Sequence, residues 1–196
     1  SGQIASKLVA DTVSDELSDA GDIGGEDLKA ILAKVNSTVY QASLAKQENA
    51  GMGSTLVMAA IKDSRLSLLN VGDSPAYLFR SGAVTEIYQN HSWPSEQARA
   101  GIITPEQVAN HPQKHRLARA VGVWDHVKAF TNELDLEHGD VVLLCSDGVE
   151  EAGVTIEEVR VLMEKEDLQA AVEDLVDLCR ERGAPANVTV AAVRVE

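Results

Sequence analysis

Apolar residues Ile4, Leu8, Val9, Val13 and Leu17 recur every three or four positions, with Lys7, Asp11, Asp15 and Glu16 between them, and residues 27–46 repeat the pattern. A stripe of that period turns one helix face to a core and the other to water, so the chain opens with two predicted helices. After the turn-forming stretch Asn49 to Gly53 the period shortens. Residues 54–62, 65–71, 76–80 and 84–88 are short β-rich runs, divided by Lys62-Asp63-Ser64, Gly72-Asp73-Ser74 and Ser81-Gly82. That spacing predicts an antiparallel meander. Two short helices come next, over 94–100 and 105–110, each with proline in its first turn and Ser92 or Thr104 placed to cap it. Strands return at 127–134 and 140–145, helices at 155–163 and 168–182, and a last strand at 187–195. This order does not alternate as βαβ units would, and it predicts an α+β fold with mainly antiparallel sheets.

The length of 196 residues and the 44% hydrophobic content suit one domain, 1–196, with a sizeable core and no linker to divide it. The formal net charge of −14, from 31 acidic against 17 basic side chains, repels phosphate backbones, so neither nucleic acid nor an anionic membrane surface is an expected partner. The same acidity suits a protein that gathers divalent cations, but it is commoner in one simply kept monodisperse by its charge. Cys145 and Cys179 have no CxxC or Cys/His spacing, so neither zinc nor a disulfide framework is expected, and a reducing cytoplasm is the expected location. No run approaches the roughly eighteen apolar residues of a membrane span, and the segment Ser1 to Ala20 is amphipathic rather than leader-like.

Candidate chemistry lies where apolar runs end. The run 141–145 stops at Ser146-Asp147-Gly148, which sets a carboxylate just past a buried strand with a glycine to allow a tight turn. Asn70-Val71-Gly72-Asp73-Ser74 has the same form, and two such strand ends could hold a hard cation between carboxylates or be two unrelated turns. Gly51-Met52-Gly53-Ser54 lacks the lysine and following helix of a phosphate-binding P-loop and reads as a turn before a strand. His111-Pro112 with Lys114, His115, Arg116 and Arg119 is the one basic cluster. It fits either a phosphate-binding patch or a solvated face. No Ser/His/Asp nucleophile arrangement is evident, because no glycine precedes Ser146 as a nucleophile elbow requires.

In order along the chain, residues 51–56, Asn70-Val71-Gly72-Asp73-Ser74-Pro75-Ala76-Tyr77, Asn90-His91-Ser92, the stretch from Ala98 to Gly122, residues 139–148 and Asn187-Val188-Thr189-Val190 resemble the successive motifs of the type 2C (PPM) metal-dependent protein phosphatases, bacterial ones in particular. The resemblance covers essentially the whole chain. It implies an αββα sandwich, two antiparallel sheets packed face to face and flanked by helices. It also implies hydrolysis of phosphoserine and phosphothreonine by water activated on a pair of Mn²⁺ or Mg²⁺ ions, with no phosphoenzyme. Expected partners are phosphorylated proteins, a serine/threonine kinase or its substrates among them. By the same resemblance Asp147 is a metal ligand of the Ser-Asp-Gly motif, while Asp73 and Glu151 are ligands of a third, weaker metal site.

The chain also departs from that pattern. Ser74-Pro75 replaces the common Ser-Arg, and Ala186-Asn187 stands where an Asp-Asn pair supplies the last ligand. The family's first segment carries a phosphate-binding arginine and the metal-bridging Asp-Gly-x-Gly aspartate, and Ser1 to Ser6 matches the family only beyond that segment. Two function classes therefore stand side by side: a metal-dependent phosphatase, and a catalytically silent, pseudophosphatase-like module that binds a phosphoprotein or regulatory partner. For these 196 residues alone, little or no activity is expected. Substrate choice is expected in the loop from His91 to His115.

Overall fold

Helix α1 (Gly2–Ser18) buries a narrower face than its apolar stripe predicts. Ala5 and Val9 are buried against the second helix, whereas Ile4 and Leu17 stay exposed, because contact with a single neighbouring helix covers only the seam between the two. The computed structural model describes residues 2–18 and 22–196; the part of the Ser1 to Ala20 reading that concerns Ser1, Asp19 and Ala20 lies outside them. The chain divides into two compact units, residues 1–73 with 89–133, and residues 74–88 with 134–196. No helix among the described residues is long and apolar enough to cross a membrane.

In the first unit, α2 (Gly25–Ala45) starts where the Gly24 N–H donates to Asp27 Oδ2 at 2.8 Å, and it buries Leu28, Ile31, Leu32, Val35 and Val39. That i, i+3, i+4 ladder is the one its sequence predicts. A 3₁₀ turn at Gln47–Asn49 leads to β1 (Leu56–Lys62), which pairs antiparallel with β2 (Arg65–Val71) from Leu56 opposite Val71 to Lys62 opposite Arg65. Asp63 and Ser64 both take positive φ, 48° and 60°, the conformation that matches a two-residue hairpin to the strand twist. Every residue from Leu66 to Val71 is buried, as an almost unbroken apolar run implies. Strand β5 (Phe130–Asp135) takes the other side of β2, giving the sheet order β1-β2-β5. It begins three residues later than its sequence predicts, since Val127 and Ala129 pack on the core without joining the sheet. Helices α3 (Trp93–Arg99) and α4 (Pro105–Ala109) sit where proline and the caps place them: Ser92 Oγ accepts from the Ser95 N–H at 3.4 Å, and the Thr104 N–H donates to Gln107 Oε1 at 2.7 Å.

The second unit is built on the sheet β4-β3-β6-β7, antiparallel throughout, from β3 (Ala76–Arg80), β4 (Ala83–Glu86), β6 (Val141–Cys145) and β7 (Val190–Arg194). Strands β3 and β6 are its centre and are almost wholly buried. One short helix that the sequence pattern does not announce, α5 (Gly148–Glu151), comes directly after β6. Helix α6 (Ile156–Met163) opens on a reciprocal cap, with the Thr155 N–H donating to Glu158 Oε2 at 2.9 Å and the Glu158 N–H to Thr155 Oγ1 at 3.3 Å. Helix α7 (Leu168–Glu181) is capped by Asp167, and it buries Ala171, Leu175 and Cys179 in one core with Leu143, Cys145, Val159 and Met163. Both cysteines are free thiols.

Candidate metal-ligand site

Strand β6 delivers Asp147 into a turn held from the far end of the chain. The Ser146 N–H donates to Thr189 O at 3.0 Å, Ser146 Oγ donates to Asn187 O at 3.0 Å, and the Thr189 N–H donates back to Ser146 Oγ at 3.1 Å. A Cβ at Gly148 would lie 2.5 Å from Asn187 O, so only glycine lets the two segments approach this closely. This clamp explains why β7 begins at Val190 rather than at the predicted 187: residues 187–189 bond to the turn instead of to β6. Asp147 is half-buried, and its side chain caps nothing in α5. Glu151 stands one helical turn on, its N–H donating to Asp147 O at 3.0 Å, and is also half-buried. Beneath them the Tyr77 hydroxyl donates to Glu150 Oε1 at 3.3 Å, and burial raises the Tyr77 pKa; burial likewise pushes the Cys145 thiol up to about 12, leaving it an inert core group.

Asp73 belongs to the first unit, at the end of β2. Gly72 before it has φ +103°, and a Cβ there would lie 2.4 Å from Thr55 Cγ2. The strand end is fastened to residues 89–91 by paired bonds: the Gln89 N–H donates to Asn70 Oδ1 at 3.0 Å, Asn70 Nδ2 donates to Gln89 O at 2.9 Å, and the His91 N–H donates to Gly72 O at 3.0 Å. The Gly72 N–H donates to His91 Nδ1 at 3.2 Å, and Nε2 lies 3.3 Å from Arg119 Nη1, so both ring nitrogens face N–H donors, a setting that disfavours a charged imidazolium. Burial, and then Arg119, lower the His91 pKa to about 4. His91 is therefore a neutral, fully buried anchor, a role that its place in a quoted motif did not assign.

Structure separates the members of the basic cluster. Arg119 is committed to Glu96 at 2.8 Å, and Arg116 lies over the Trp93 ring at 5.9 Å, with the His111 ring tilted at 56° to the same ring, centroids 5.3 Å apart. Residues 51–54 form a turn tied down by the Ser54 N–H to Val121 O (3.1 Å) and the Val121 N–H to Ser54 O (2.8 Å), the structural role the sequence favoured over phosphate binding.

The protein phosphatase 2C family model matches residues 1–191, and the chain belongs to that family. It is similar to the serine/threonine phosphatase stp of Listeria monocytogenes, with 30% identity over 197 aligned positions that span 98% of this chain and 78% of the relative. It is also similar to the serine/threonine protein phosphatase PstP of Mycobacterium tuberculosis, at 30% identity over 99% of this chain and 38% of the relative. The crystal structure of M. tuberculosis PstP superposes with a TM-score of 0.88, at 30% identity over 99% of this chain and 82% of that one. The PstP catalytic domain in complex with two manganese ions gives 0.85, at 28% identity over 99% and 82%. The two antiparallel sheets with helices accord with this fold.

Carboxylate oxygens at Asp147, Glu151 and Asp73 are the hard donors that Mn²⁺ and Mg²⁺ prefer. Among the described residues, however, no three His, Cys, Asp or Glu side chains gather as a metal-binding group. Ala186, beside the clamped Asn187, offers a methyl group. The donor set of these residues therefore fits the kind of metal but does not complete a binuclear site.

Proposed function

We propose that the 196 residues belong to one type 2C domain whose activity is hydrolysis of phosphoserine and phosphothreonine in protein substrates, with Asp147, Glu151 and Asp73 directed to divalent metal. The observation that carries this reading is the clamped Ser146-Asp147-Gly148 turn, an aspartate held half-buried at the end of a core strand in a chain of this family. In this family bound Mn²⁺ or Mg²⁺ supplies Lewis acidity and an activated water. The protein's own contribution is positional: Ser146 and Gly148 fix the backbone of Asp147, and His91 and Asn70 fix that of Asp73. Phosphoproteins, including a serine/threonine kinase or its substrates, are the partners this activity requires. A cytoplasmic setting belongs to the same proposal and is supported by two buried free thiols. The silent-module reading draws on Ala186 and the partial donor set, whereas the similar proteins are phosphatases by name.

Titration calorimetry with MnCl₂, run beside a phosphomonoester assay, tests the proposal on the wild-type chain and on Asp147→Ala. We expect binding heat that the variant loses, with weak turnover because the donor set is partial. Equal binding by the variant, or no binding from a folded wild-type sample, would remove Asp147 from the site.

A further inference from the structure

Charge is divided unevenly between the two units. Residues 74–88 and 134–196 carry seventeen acidic against six basic side chains, so most of the net negative charge sits on the second unit. On that unit, α6 and α7 enclose an open groove of about 550 Å³. Its floor is apolar: Val161 is 53% exposed although it lies one position from the helix face that enters the core, and Leu162 and Leu178 are half-buried beside it. Asp174, Asp177 and Glu181 line one wall at i, i+3 and i+7, the spacing of a single helix face. Lys165 pairs with Asp174, and Arg180 with Asp177 at 3.0 Å, while Glu181 has no ion-pair partner among the described residues. These pairs are exposed, so an incoming cation can exchange with them at little cost.

We infer that the α6–α7 groove is a docking site for a basic amphipathic helix of a partner protein, with apolar side chains on Val161 and Leu178 and lysine or arginine against the α7 carboxylates. Charge selects this occupant. A second copy meeting the groove through its own α6–α7 face would bring the same acidic surface, and nucleic acid and anionic lipid are repelled. An apolar floor between charged walls is how grooves receive amphipathic helices. The site lies on outer helices that supply none of the candidate metal ligands, so the inference does not depend on the phosphatase reading.

The test is fluorescence anisotropy with a labelled peptide of lysine and leucine at helical spacing, and with a scrambled peptide of the same composition. The Val161→Asp variant separates docking from general attraction, because it adds negative charge while spoiling the floor. We expect the helical peptide to bind, and both scrambling and Val161→Asp to weaken binding by about tenfold or more. Glu181→Lys, at an exposed position, is expected to weaken it too and serves as a second arm should Val161→Asp disturb α6. Equal binding of the scrambled peptide, undiminished binding by folded Val161→Asp and Glu181→Lys proteins, or no binding to the wild type would each overturn the proposal.

Discussion

His91 shows how one side chain can hold a site without entering its chemistry. Its ring accepts the Gly72 N–H and faces Arg119, which also pairs with Glu96, so protonation would place a second cation in a buried space beside a guanidinium. The folded pKa of about 4 lies below the ordinary 6.5, so between these values the unfolded chain binds more protons than the folded one. Stability from this group is therefore full above about pH 6.5 and is lost as pH falls towards 4, by up to about 3 kcal/mol. Urea denaturation across that window should show the acid slope in the wild type and a shallower slope in His91→Gln; identical slopes would place the acid sensitivity elsewhere. His91 was readable in the sequence as part of a motif, but its partner 19 residues away was not.

Arg80 and Asp140 act on the scale of the sheet. Arg80 ends β3 and donates through Nε to Asp140 Oδ1 at 2.8 Å, while Asp140, buried just before β6, also accepts the Glu137 N–H at 2.8 Å. Arg80 holds the Asp140 pKa below the usual carboxylate range, so this contribution is present at neutral pH and is lost on acidification. Removing one partner leaves the other poorly compensated, and Asp140→Ala should destabilise the second unit by about 3 kcal/mol, seen as a lower denaturant midpoint. A change below about 0.5 kcal/mol would mean the pair is merely a surface contact. Elements with a strong period were legible at this scale: β2, β3, α6 and α7 lie within a residue of their predicted spans. Helix α5 was not, because four residues carry no periodic signal and its start depends on the Ser146–Asn187 clamp.

For the molecule as a whole, the charge imbalance has a measurable consequence. Seventeen carboxylates cannot be neutralised by six cations, so self-repulsion in the second unit outweighs its ion pairs. Raising ionic strength from about 10 mM to about 150 mM shortens the screening length to about 8 Å and should stabilise that unit. Hydrogen exchange is expected to slow more in α6 and α7 than in α2. Equal slowing would show that local ion pairs, not net charge, set the response.

The sequence by itself determined the fold class, the family and the position of Asp147 at a strand end, because hydrophobic period and motif order are local properties of the chain. It also exposed Ala186 as a departure, since an alanine side chain cannot ligate in any conformation. Tertiary structure decided the rest. It joined Ser146 to Asn187 and Gly72 to His91, turned Arg119 inward to Glu96, left Val161 outside the core, and divided the charge between two units. Each of these depends on which distant segments meet, and hydrogen bonds and burial across such gaps leave no periodic trace in the residues themselves.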